Sequence, residues 1–343
     1  MRKAAISLVS LFCFLNCFQA IASAGVPAWL RTVAQQPPRK YADDANAVIL
    51  LDDQETSVRD SGDIITHERI VYRILRPEGK DYARYVLPFS GETKVSYLRG
   101  WSITGKGQEY EAKDKDSFEK SMSTFEVFSD EKAKVLILPG AEVGTVVGFE
   151  YDQKRRPYVF EDQWFFQDRI PVEKSRYTLH LPPNWEYRAS WVNHKDEEPQ
   201  IQGGTYVWEV SDVPRIEREY NEPPYRALAG HVLVTFFSER THNATYKTWS
   251  DVAAWNAQLI AGSFAASAPL QQKVMELAPA SMPLMDRIKA LASFAQHDIR
   301  YAAIEVGIGG FRPHPASEVF SHRYGDCKDK ATLLSTMLEQ IGV

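Results

Sequence analysis

The strongest constraint on this chain is a change of period partway along it. From about residue 25 to 245, short runs rich in Val, Ile, Thr and aromatic residues recur between turn residues. From Trp249 onward the apolar residues recur at helical spacing instead. One uniform layer cannot satisfy both patterns, so a β-rich part should precede a helical one. Ala47-Val48-Ile49-Leu50-Leu51, the turn Asp60-Ser61-Gly62-Asp63, and the run Ile64 to Leu75 read as a hairpin. Further strands are expected at 94–104, 134–138, 143–151, 177–181, 205–210 and 231–237. Many short strands at this spacing favour a sandwich-like or open barrel-like sheet. Trp101, Trp185, Trp191 and Trp208 are expected in its core. Glu222-Pro223-Pro224-Tyr225 looks like a junction.

Helices are expected at 249–264, 270–277, 284–299 and 326–341. In the first, Trp249, Val252, Ala253, Asn256, Leu259 and Ile260 lie near 3.6-residue spacing. In the third, Ile288, Leu291, Ala292, Ala295 and Ile299 form one stripe. No internal repeat or low-complexity tract is visible.

The first residues speak to location. Arg2 and Lys3 precede an apolar stretch from Ala4 to Ile21, and Ala22-Ser23-Ala24 is a small-residue cleavage pattern. This reads as a signal peptide over 1–24, which makes the product exported, periplasmic or associated with the cell envelope. Its removal leaves 319 residues, enough for about two domains. The expected division is a β-rich domain over 25–245 and a second domain over 246–343. The formal charge of −5 becomes −7 without Arg2 and Lys3, which argues against a nucleic-acid partner. No later stretch is apolar enough for a transmembrane span.

Of three cysteines, Cys13 and Cys17 leave with the signal, so Cys327 remains as a single thiol with no internal disulfide partner. It sits in Tyr324-Gly325-Asp326-Cys327-Lys328-Asp329-Lys330, at the start of the last helix. Asp326 is placed as the N-cap and Gly342 as the stop. Cys327, Ala331, Leu334, Leu338 and Ile341 share one face, so Cys327 is expected to point inward. A helix N-terminus favours a thiolate through its unpaired N–H groups and its macrodipole. That is the environment of a nucleophilic cysteine. The competing reading is a small buried core residue.

Three segments carry a resemblance: Ile299-Arg300-Tyr301; Arg312-Pro313-His314-Pro315-Ala316-Ser317-Glu318-Val319; and Tyr324 through Leu334. Together they resemble the nucleophile half of bacterial transglutaminase-like domains. The β-rich portion resembles the domain of unknown function that often precedes them in exported proteins. The resemblance implies the helical first half of an α+β, papain-like fold. It implies an acyl-enzyme thioester at the cysteine, with transfer to an amine or to water, and no cofactor. It also implies a histidine base and an aspartate orienter on strands that follow the cysteine helix.

No residue here matches those two positions, so Cys327 is the one catalytic residue assigned, and the chain is expected to be C-terminally truncated and inactive alone. His314 lies between two prolines, His322 stands five residues before Cys327, and His297 ends a helix. His314 and His322 are expected to cap backbone groups or face solvent, and His297, at a favourable helix C-terminal dipole position, to have a structural role. A zinc site from His314, His322 and Cys327 fails on spacing and lacks a fourth ligand. The expected substrate is a protein, peptide or peptidoglycan amide, attacked by a cysteine acyltransferase or amidase. The alternative is a non-catalytic envelope-binding protein built on a degenerate transglutaminase-like scaffold.

Overall fold

A computed structural model describes residues 25–123, 127–238 and 246–343. The expected signal segment lies outside the described residues, and the expected boundary after 245 adjoins the undescribed residues 239–245. The backbone of the β-rich part is one long mixed sheet of eight strands. Their spatial order is Gln200–Gln202, Thr205–Val213, Val172–His180, Ala47–Val58, Ile64–Ile74, Val146–Arg155, Thr93–Ile103, Glu109–Lys113. The hairpin read from the sequence is its centre, with Val58 opposite Ile64 across the turn. The pairing of Ala47–Val58 with Val172–His180 is parallel; the others are antiparallel.

Strand alternation decides what each face carries. Ile64, Thr66, Glu68 and Ile70 share one face of their strand, opposite Val58, Thr56, Gln54 and Asp52. At one end of that face, Ile70, Leu98 and Phe149 pack with Leu87 and Leu136. The latter two belong to a small sheet of Arg84–Phe89, Lys132–Ile137 and Phe118–Ser121. At the other end, Ile64, Tyr177, Leu179 and Trp208 pack with Trp164, Val232, Val234 and Phe236. Those come from a second small sheet of Glu161–Phe165, His231–Ser238 and Trp185–Val192. The architecture is thus sandwich-like, with the second layer split in two. Trp101, Trp185 and Trp208 are buried, and Trp191 packs at the edge of the core.

The opposite face is covered by the helix Ala28–Ala34. Its Leu30 and Val33 sit on Val48, Leu50, Val71 and Trp101. Burying Leu30 completely contributes about 1.5–3 kcal/mol. The close approach needs Gly148, because a Cβ there would lie 2.7 Å from the Leu30 side chain.

The Pro-Pro segment at 223–224 is not a junction. A short helix, Tyr225–Leu228, follows it, and the chain returns as His231–Ser238 into the middle of the second small sheet. The turn residues there serve a reversal within the β-rich part. The helical part follows as Trp249–Ile260, Ala268–Leu277, Leu284–His297, Ala316–His322 and Cys327–Glu339. Its core is Leu270, Val274, Leu291, Phe294, Val319, Leu333 and Met337. The first of these helices stops four residues short of expectation and buries none of its residues; Trp249 is 87% exposed. A capping box between Thr248 and Asp251 starts it. A two-stranded parallel ribbon, Ala303–Glu305 with Val127–Ser129, ties the two parts together.

Between the two covering sheets lies a polar seam. Asp52, Gln54, Glu68 and Asp168 border a cavity of about 230 Å³ there. Ser175 donates to Asp52, and Tyr85 and Tyr151 donate to Glu68. Burial raises Asp52 well above the usual carboxylate range, and the charge of Glu68 raises it further. Burial likewise raises Glu68 and Asp168. Raised carboxylates make the folded state hold more protons than the unfolded one. Their effect is therefore neutral below an unfolded pKa of about 4 and increasingly destabilising as pH rises above it. Asp52→Asn is expected to raise the melting midpoint at pH 8 by roughly 2–4 °C, with the gain fading towards pH 4. Thermal unfolding followed by circular dichroism measures this; a gain that does not change with pH would exclude the charge as its cause.

Candidate active site

The last helix, Cys327–Glu339, starts on a complete capping box. Asp326 Oδ1 accepts from the backbone N–H groups of Lys328 at 3.0 Å and Asp329 at 3.2 Å. In return, Asp329 Oδ2 accepts from the Asp326 N–H at 3.2 Å. Both carboxylates belong to residues only 1% exposed. Lys328 forms an ion pair with Asp326. Asp329 also binds the preceding loop: the His314 N–H donates to Oδ1 at 2.7 Å, and His314 Nδ1 donates to Oδ2 at 3.1 Å. A buried carboxylate is costly without donors, and here hydrogen bonds from two backbone N–H groups and one ring meet that cost.

Two neighbouring elements hold the box in place. Tyr324–Gly325 pairs in parallel with Arg300–Tyr301, and the Ala302 N–H donates to the Gly325 carbonyl at 3.2 Å. A Cβ on Gly325 would stand 2.6 Å from Asp329 Cβ, so the approach of strand to helix requires glycine. Lys330 Nζ donates to the carbonyls of Gln296 and Ile299 at 3.1 and 2.9 Å. It thereby closes the C-terminal end of the helix Leu284–His297. Both lysines of the motif are therefore engaged.

Cys327 does not point inward. It is exposed, and the buried residues of its helix are Asp329, Thr332, Leu333, Thr336 and Met337. Positions two apart on an α-helix differ by about 200°, so burying Asp329 turns Cys327 outward. The expected stripe fails because polar residues occupy core positions. Asp329 is satisfied by the cap, and Thr336 Oγ1 donates to the Thr332 carbonyl at 2.9 Å. Ala331 is exposed, while Leu334, Leu338 and Ile341 flank the core. The same geometry turns the Asp329 carboxylate away from the thiol.

Among the described residues, Cys327 Sγ has no hydrogen-bond partner. The cap accepts from Lys328 and Asp329 but leaves out the N–H of Cys327. An accessible thiol beside an uncapped N–H has the two elements an acyl transfer needs at the attacked carbonyl, a nucleophile and an oxyanion donor. His314 has a more specific role than the loop histidine expected, since its ring is oriented by a buried aspartate. His322 stacks on Tyr324 at the surface, and the His297 ring meets the Ser293 carbonyl at 3.0 Å. The sequence reading names Cys327 and treats Asp326 as a simple cap. Asp329 and Gly325 escape it, although the Asp326–Asp329 spacing is that of a capping box.

Residues 60–217 match the family model of DUF3857, a domain of unknown function with solved structure. No curated protein matches the chain. Among solved structures, a candidate protease from Parabacteroides distasonis superposes with a TM-score of 0.67 at 14% identity. The match covers 87% of this chain and 59% of that one, so the present chain spans about three-fifths of that structure's length. At this identity the match shows a shared fold. Leukotriene A4 hydrolase of Saccharomyces cerevisiae gives a TM-score of 0.33 at 10% identity, covering 62% of this chain and 33% of that one. An M1 zinc metallopeptidase of Deinococcus radiodurans gives 0.30 at 12%, covering 55% and 42%. Those two superpositions are too partial to bear on fold or function.

Asp329→Ala removes the return half of the box and strands the His314 N–H. It is expected to destabilise the chain by about 2–4 kcal/mol. Urea unfolding would show this, with Glu339→Ala, exposed at the far end of the helix, as the control of small effect. A change below about 0.5 kcal/mol for Asp329→Ala would remove the box from its central role.

Proposed function

We propose that Cys327 is the nucleophile of an exported, transglutaminase-like enzyme acting on amide bonds at the cell envelope. The thiolate attacks an amide carbonyl of a protein, peptide or peptidoglycan. The C–N bond breaks, the nitrogen leaves with a proton, and a thioester remains. Water or an amine then takes the acyl group. One observation carries this reading: an exposed thiol at the first position of a helix whose cap leaves the adjacent N–H free. A buried thiol would have favoured a packing role. The rigid box beneath it supports the same reading, because a nucleophile must be held in one orientation. The likeness to a candidate protease agrees with amide chemistry in the same fold.

Turnover also needs a base within hydrogen-bond reach of the thiol. His314 is turned towards Asp329, and no other described histidine reaches Sγ. The chain by itself is therefore expected to be labelled covalently at Cys327 without turning over. A peptide carrying a chloroacetamide in place of a glutamine side chain tests this. Labelling of the folded chain should exceed that of the guanidinium-unfolded chain at least about tenfold at pH 7, because only the folded chain holds the thiol in one orientation beside the free Cys327 N–H. Cys327→Ala should abolish it. Equal rates folded and unfolded would overturn the nucleophile assignment. Cys327-dependent ammonia release from glutamine peptides would show that the chain already holds its base.

A further inference from the structure

We propose that the β-rich part supplies one wall of the substrate cleft for Cys327, and that the cleft takes a polypeptide segment bearing lysine or arginine beside an apolar residue. This rests on the reading of Cys327 as the nucleophile. The cleft is a cavity of about 530 Å³, within the size range of ligand sites. One wall comes from the β-rich part, through residues 127–131 and 155–161. The other comes from the helical part, through Glu305, Gly307, Gly310 and Phe311.

Parallel pairing links this cleft to the thiol. Tyr301 is level with Gly325, two residues before Cys327, and Ala303 stands two residues beyond Tyr301. The strand Ala303–Glu305 starts two residues after this pairing with the segment that leads into the cysteine helix. It ends at the cleft, about 7 Å further along. A substrate lying along this strand would reach from the cleft to the thiol.

The charges in the cleft are unbalanced. Its two arginines are already engaged: Arg155 with Asp162 at 2.8 Å and Arg156 with Asp63 at 3.2 Å. Tyr158 donates to Glu92, and Asp130 accepts from the Gly91 N–H. Glu131, Glu161 and Glu305 have no cationic partner among the described residues. Phe311 and Met122, both on the cleft, are 50% and 46% exposed, so apolar surface adjoins the free carboxylates. Three unpaired carboxylates beside exposed apolar side chains complement a cationic side chain next to an apolar one.

The test is a titration of the chain carrying Cys327→Ala with a fluorescein-labelled eight-residue peptide of alternating lysine and leucine, read by fluorescence anisotropy. Saturable binding is expected. Acetylating every lysine, or combining Glu131→Gln with Glu305→Gln, should each weaken it at least about tenfold. Circular dichroism and an unchanged melting midpoint would show that the double variant is folded. Binding that is absent, or unaffected by either change, would overturn the cleft. Because Cys327 is absent from this titration, its result is independent of the labelling experiment, and failure of one is distinguishable from failure of the other.

Discussion

The buried carboxylate of Asp329 is the constraint on which the candidate site depends. It closes the N-terminus of the cysteine helix, holds the His314 loop by backbone and ring, and forces glycine at position 325. It also sets the rotation of the helix. Once Asp329 faces the protein, Cys327 two residues earlier must face out. An ionised group removed from water needs several donors at once, so the segments supplying them are held together. Cys327 is thus oriented by a residue that takes no part in the proposed chemistry.

The β-rich part makes a different compromise. Its long sheet offers one continuous face, but two small sheets cover it instead of one. Where they part, the strands carry Asp52, Gln54 and Glu68 in place of apolar residues. Alternation along the central hairpin makes this seam unavoidable, because those positions share a face with Ile64 and Ile70. The cost appears in the raised carboxylates: burial raises Asp52 and Glu68, and the charge of Glu68 raises Asp52 further. The helical part has its own apolar core and meets the β-rich part through a short ribbon.

Much of this could be read from the chain. The hairpin at 47–74 and the strands near 94–104, 146–155 and 231–238 follow from local pattern and turn residues. So do the helices at 268–277 and 284–297, and the cap at Asp326. Shorter strands such as Phe118–Ser121 and Gln200–Gln202 show no periodic signal, since they bury none of their residues. The reading of Cys327 as inward failed for an identifiable reason. It counted apolar residues, whereas Asp329 and Thr336 reach the interior through side-chain hydrogen bonds that a hydropathy pattern does not register.

By itself the sequence determined the change from strand to helix period, the central hairpin, and a thiol at the first position of a capped helix. These depend on neighbours a few residues apart, where propensity, turn chemistry and capping act. Only the tertiary structure decided the parallel pairing of 47–58 with 172–180, the split covering layer, the exposure of Cys327 and the cleft between 127–131 and 305–311. Each of these joins segments far apart in the chain. Local pattern says which faces must be buried; which distant partner buries them is settled by packing and by the hydrogen bonds that buried polar groups require.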